Sequence, residues 1–236
     1  MEQVFTRDTK VRELVIKVPR SDELFKRHKI DFCCGGNRPL HEAAIEKGVD
    51  EEQLLAELSD LYKKADEMKS SDSEDWTTKP YGELVDHIIH RHHHYLINEL
   101  PDLSFYVTKI FRVHGGSHPE LADLHRTFHE LKTELEHHLL KEEQNIFPAI
   151  REYEAVRGQA ERDAALSQID ELESEHDHAG TLLRDIREIT SDFTLPPDAC
   201  TTYRMTYKRL EVLESDMFQH VHLENNILFP RLEEEA

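Results

Sequence analysis

Apolar residues recur at alternating steps of three and four along most of this 236-residue chain, the spacing of helices that bury one stripe. Near the start the pattern comes in short pieces: Val11, Leu14 and Val15; Leu24 and Phe25; Leu40 to Ile45; then Leu54, Leu55, Leu58 and Leu61. DFCCGGNRP, Asp31 to Pro39, interrupts it with two glycines and a proline, so Cys33 and Cys34 fall on a loop between helices. KSSDSEDWTTKP, ending at Pro80, is polar and has the composition of a linker. The expected organisation is a small helical domain over residues 1–68 with a Cys-Cys loop, a linker over 69–79, and a second domain over 80–236.

Beyond the linker four long helical patterns stand out: Pro80 to about Val113, Pro119 to about Val156, about Ala160 to Thr190, and Pro197 to about Leu232. HGGSHP, VRG and DFTLPP separate them. Long helices joined by short loops predict an all-α, up-down four-helix bundle. Pro101 should bend or break the first helix. HLLKEEQNIFP, His138 to Pro148, matches HVHLENNILFP, His220 to Pro230, in its His, Glu, Phe and Pro. The second and fourth helices therefore read as copies that face each other across the core.

Polar residues stand on the stripes that should be apolar. The fourth helix runs Leu210, Leu213, Met217, His220, Glu224, Ile227, and the second runs Leu121, Leu124, Phe128, Leu131, Leu135, His138, Glu142. The third gives Ile169, Leu172, His176, Ala179, Leu183, Ile186, and the first gives Ile89, His93, Leu96, Leu100, Leu103. Six such groups in one core would cost several kcal/mol each, at about the scale of a buried unpaired charge, unless something compensates. A pair of metal ions does so, because four residues climb about 6 Å and return to nearly the same helix face. Glu142 and Glu224 can bridge, and His93, His138, His176 and His220 supply two nitrogens per metal. With a bridging oxide this makes about five bonds per iron, one short of octahedral, leaving room for a small ligand; manganese or zinc would also suit the donors. A single such histidine is more often an ordinary core residue, and a single HxxxE more often a surface pair. It is the six together that argue for metal.

The other histidines, among them His87, His90, His94, His125, His129, His137, His178 and His222, fall mostly off the stripes and read as solvated or as support behind the ligands. His92 is the least secure of these, since Val85, Ile88, His92 and Tyr95 form a competing stripe. Glu134, one turn before His138, and Glu175, beside His176, are candidates for proton or iron transfer, with a solvated flank as the plain alternative. Cys33 and Cys34 are adjacent, so a disulfide between them would be strained and easily reduced, which suits redox or metal-transfer work. A buried turn is the alternative there.

Composition narrows the partners. Charged residues are 33% of the chain and the formal net charge is −20, which disfavours nucleic acid and anionic membrane as partners. The opening residues hold no apolar leader core, no stretch is apolar for the length of a span, and three cysteines cannot form a disulfide framework. A cytoplasmic location is expected.

At DFCCGG, HLLKEEQ, ESEHDHAG, PPDACTTY and HVHLENNILFP the chain resembles the iron–sulfur cluster repair proteins, di-iron proteins with a hemerythrin-like domain behind a small Cys-Cys module. The similarity covers nearly the whole chain, and the stretch from Arg157 to Ala165 looks long for the family. The resemblance implies a hemerythrin-like bundle with iron ligands at His93, His138, Glu142, His176, His220 and Glu224. It also implies two non-haem iron ions, oxo- and carboxylate-bridged, and repair of iron–sulfur clusters damaged by nitrosative or oxidative stress through iron donation. Damaged iron–sulfur proteins are then the partners, and a homodimer is compatible with the reading. The alternatives are reduction or binding of nitric oxide, or of O2, at the same centre. Spacing alone shows only a site able to hold two metals and admit a small ligand.

Overall fold

The computed structural model describes residues 5–68 and 75–235. The chain is all-α: among the described residues the sole β feature is an isolated bridge between Lys10 and Pro39. It divides into two compact units, residues 1–79 with Val221–Arg231, and Pro80–His220 with Leu232–Ala236. Residues 69–74 of the expected linker lie outside the described residues.

In the first unit α1 (Val11–Lys17), α2 (Ser21–Arg27), α3 (Leu40–Lys47) and α4 (Glu51–Met68) follow the four short apolar patterns. Val11, Leu14, Leu24, Phe25, Leu40, Ala43, Leu54 and Leu58 are buried, as an amphipathic spacing requires. Asp50 caps α4, its Oδ1 accepting the N–H groups of Glu52 at 2.9 Å and Gln53 at 3.1 Å.

The second unit is the bundle, and its long helices contain wide turns. The first helix is α5 (Tyr81–Ile88), a π turn π1 (Ile89–His93) and α6 (His94–His114). The second is α7 (Glu120–Lys141), π2 (Glu142–Ile146) and α8 (Phe147–Val156). A short α9 (Gln159–Leu166) precedes the third, α10 (Ile169–Ile189). The fourth is α11 (Thr201–Leu223), π3 (Glu224–Leu228) and α12 (Phe229–Glu234), and it runs through the division between the two units. Charged pairs join neighbours around the bundle: Arg209 to Glu99 links α11 with α6 at 2.6 Å, and Arg187 to Glu214 links α10 with α11 at 2.7 Å. The N-terminus of α5 is capped from α8, where Glu154 accepts Tyr81 N–H at 2.6 Å and Gly82 N–H at 2.8 Å. A Cβ at Gly82 would stand 3.0 Å from Glu154 Oε2, so glycine admits the approach. No helix among the described residues is long and apolar enough to cross a membrane.

Two expectations need correction. Of the bend or break expected at Pro101, the break does not occur, because α6 continues through it. The ring frees the carbonyl of Ile97, but both residues lie on the exposed side, where water can bond that oxygen. The irregularity falls earlier, at Ile89–His93. The third pattern is likewise not one helix from Ala160, since α9 and α10 are separated at Ser167 and Gln168. The long-looking stretch after Arg157 is mostly this extra helix.

Candidate metal centre

Each π turn carries one of the six candidate ligands. His93 ends π1, while Glu142 and Glu224 open π2 and π3. The backbone closes each turn over five residues: His94 N–H bonds Ile89 O, Phe147 N–H bonds Glu142 O, and Phe229 N–H bonds Glu224 O. An extra residue per turn shifts the helix phase by about 100°. In the first helix this explains the competing stripes. Ile88 is buried before the turn and both His92 and His93 are buried within it, so the inward stripe crosses from one sequence phase to the other. In the repeats the cause is local. Pro148 and Pro230 cannot donate a backbone N–H, and in a regular helix their rings would strike the carbonyls of Gln144 and Asn226. A wide turn just ahead of Phe-Pro relieves that clash, and the copies share it.

The six residues come together. His93, Glu142, His220 and Glu224 form one group, and His138, Glu142, His176 and Glu224 a second; the candidate ligand atoms in each lie within 4.8 Å of one another. All six are between 0% and 4% exposed. The two oxygens of Glu142 point to different sides: Oε2 stands 3.3 Å from His93 Nε2, and Oε1 stands 3.2 Å from His138 Nε2. His93 Nε2 is also 3.3 Å from His220 Nε2, and His138 Nε2 is 2.9 Å from His176 Nε2.

The tautomers follow from carboxylates behind the rings. Glu175 Oε2 accepts from His138 Nδ1 at 2.7 Å, and Glu143 Oε1 accepts from His93 Nδ1 at 2.8 Å. An ionised carboxylate can only accept, so each Nδ1 carries the proton and each Nε2 turns a lone pair inward. Glu175 is ionised at neutral pH, because the hydrogen bond from His138 and the ammonium of Lys141 hold its carboxyl down at about 2 despite partial burial. Lone pairs of imidazole and carboxylate thus converge on both sides of Glu142. Two imidazole nitrogens 2.9 Å apart need a proton or a cation between them. The donor set fits a cation on each side, with imidazole and carboxylate ligation that suits iron, manganese or zinc.

Comparison with known proteins agrees with this chemistry. Residues 84–232 match the hemerythrin HHE cation-binding domain, and residues 7–62 match a domain of unknown function. Iron–sulfur cluster repair proteins named YtfE from Citrobacter koseri, Escherichia coli and Shigella boydii are each 39% identical over 95% of this chain and 96% of their own length. The chain belongs to the iron–sulfur cluster repair family.

As a member of that family it carries a cation-binding bundle whose other expected residues divide. Glu175 stands directly behind His138. Glu134 is exposed on α7 and lies outside both groups. Cys33 and Cys34 lie elsewhere, with Asp31, in a third group able to hold a metal. There the hydrogen bond to Cys34, burial and the charge of Asp31 hold the Cys33 thiol well above the usual thiol range.

Sequence reasoning passed over Glu143 and undervalued His92. Glu143 directly follows the candidate ligand Glu142 and lies in the same π turn. His92 is 4% exposed; its ring stacks on His220 at 5.4 Å and its Nδ1 meets Asp216 Oδ2 at 3.1 Å. The competing stripe was its only signal. His222, expected to be solvated or supporting, is also buried, and burial together with the nearby Lys26 lowers its pKa to about 4.

Proposed function

We propose that the chain is a di-iron protein that repairs iron–sulfur clusters damaged by nitrosative or oxidative stress, by donating iron to them. The observation that carries this reading is the pair of four-residue groups that share Glu142 and Glu224 and take two histidines each. His93 and His220 would hold one iron, His138 and His176 the other, and the two glutamates would bridge. Iron in such a site supplies redox and ligand-exchange chemistry. The protein's own part is to present four oriented imidazoles and two carboxylates in a buried setting. Glu143 and Glu175 keep the imidazole lone pairs inward, and Lys141 offsets the charge of Glu175 at the rim. The partners are damaged iron–sulfur proteins, as the names of the relatives suggest, and the place of action is the cytoplasm. The corresponding domain organisation is a Cys-Cys domain over 1–68, a linker over 69–79 and the iron-binding bundle over 80–236.

The test is to incubate the iron-loaded chain with an enzyme whose iron–sulfur cluster has been damaged by nitric oxide or peroxide. Recovery of that enzyme beyond what equimolar free ferrous iron gives is expected. Recovery equal to free iron would contradict the proposal.

A further inference from the structure

The loop between α2 and α3 holds a second set of metal donors, of different chemistry. Asp31, Cys33 and Cys34 bring a carboxylate oxygen and two sulfurs within 4.8 Å of one another. Cys33 Sγ is 3.3 Å from Asp31 Oδ1 and 3.8 Å from Cys34 Sγ, the latter well beyond the length of a disulfide bond. These spacings can be compared with a tetrahedral site. With metal–sulfur bonds of about 2.3 Å and a metal–oxygen bond of about 2.1 Å, the sulfur–sulfur edge is about 3.8 Å and the sulfur–oxygen edge about 3.6 Å. The loop presents one edge at that length and the other within a few tenths of an ångström of it.

The arrangement is fixed from behind. Asp31 Oδ1 accepts the backbone N–H groups of Cys33 and Cys34, each at 3.1 Å. Asn226 Nδ2, in the same compact unit, donates to Phe32 O at 3.0 Å and reaches Cys33 O at 3.5 Å. The Phe32 ring lies edge-on to His222 at 5.9 Å. Gly36 lets the loop close: a Cβ there would stand 2.5 Å from Phe32 O and 3.0 Å from Asn226 Oδ1. Cys33 is buried while Asp31 and Cys34 are partly exposed, so the donors are held in place yet reachable from solvent.

We propose that Asp31, Cys33 and Cys34 form a second metal site, for one borderline divalent cation such as ferrous iron or zinc, with three protein ligands and an open fourth position. Binding replaces the proton of each thiol with a bond to the metal, releasing two protons. The two thiolates and the carboxylate leave the filled site with one net negative charge. This goes beyond the repair reading, which stands or falls on the bundle.

The probe is Co2+ added to the full chain stripped of metal, read by the thiolate-to-cobalt charge-transfer band, which nitrogen and oxygen ligands in the bundle cannot produce. The expected result is a band that saturates at one thiolate-bound cobalt per chain. It should vanish in Cys33→Ser and in Cys34→Ser and persist unchanged in Cys200→Ser. Asp31→Asn keeps an oxygen to accept the two backbone N–H groups, so the loop retains its fold, and the band should persist with at least tenfold weaker cobalt binding. Iron content of the bundle, measured in the same variants, should not change. Absence of the band, its survival in Cys33→Ser/Cys34→Ser, or an unaltered affinity in Asp31→Asn would overturn the proposal.

Discussion

The six candidate ligands of the bundle are at most 4% exposed, whereas two of the three donors in the Asp31–Cys33–Cys34 loop reach solvent. The buried set consists of charged and polar groups that folding alone does not favour, and it persists in the core because a cation would compensate it. The loop set costs little to leave as thiols, and its order comes from hydrogen bonds to Asp31 and Asn226. One region is organised around what it holds, and the other is organised whether or not it holds anything.

That contrast can be broken most forcefully at the shared carboxylate. Glu142→Ala removes a donor from both bundle groups, so the coupled pair of irons should fall to nearly none by Mössbauer spectroscopy, while the loop thiols react with alkylating agents as before. Stripped of metal, the same variant should resist denaturant better than the parent, because a fully buried carboxylate has gone. A metal-stripped variant that is less stable than the parent would mean that Glu142 contributes to packing independently of metal.

The carboxylates behind the rings come next. Glu143→Gln and Glu175→Gln should each leave two irons bound at saturation but weaken metal affinity by about 10- to 100-fold, read by competition with a chelator. An unchanged affinity would show that burial alone orients His93 and His138. On the loop side, Asn226→Ala leaves the Phe32 carbonyl without that donor, and denaturant unfolding should show a loss of about 1–3 kcal/mol. Alkylation of the buried Cys33 should also accelerate. A faster Cys33 reaction with no loss of stability would separate loop mobility from global stability.

The smallest effect sharpens what burial does. His118 has carboxylates on both ring nitrogens, Asp198 at 3.0 Å and Glu120 at 3.2 Å, yet it is partly exposed and belongs to none of the metal groups. The hydrogen bond to Asp198 raises its pKa above the ordinary 6.5. Its stabilising contribution is therefore fully present below that value and is lost as pH rises through the folded value. An NMR titration should show His118 titrating above 6.5 in the parent and falling back in Asp198→Asn.

Much of the bundle was legible because its signal is periodic. Every stripe residue named for the second, third and fourth helices is buried, since one helix face cannot be both inward and polar without a reason. What escaped was the π turns, because a local change of backbone period leaves the average spacing almost unaltered. Two of them had a signal in Phe-Pro placed five and six residues after the glutamate. The third had only the conflict between the His92 and His93 stripes. The break expected at Pro101 is absent for the complementary reason: the cost of a missing N–H depends on whether water can reach the freed carbonyl, and periodicity does not report that locally. The loop donors were legible as residue types, but the Asn226 hydrogen bond joins positions far apart in sequence and carries no local pattern.

Glu142, Glu224 and four histidines are proposed to hold two irons as one coupled centre. Iron analysis combined with Mössbauer spectroscopy of the full chain tests it most directly. Two irons per chain, antiferromagnetically coupled through a bridge and lost together in Glu142→Ala, is the predicted result. Iron that is magnetically isolated with no coupled pair, or coupled iron that survives Glu142→Ala, would contradict it.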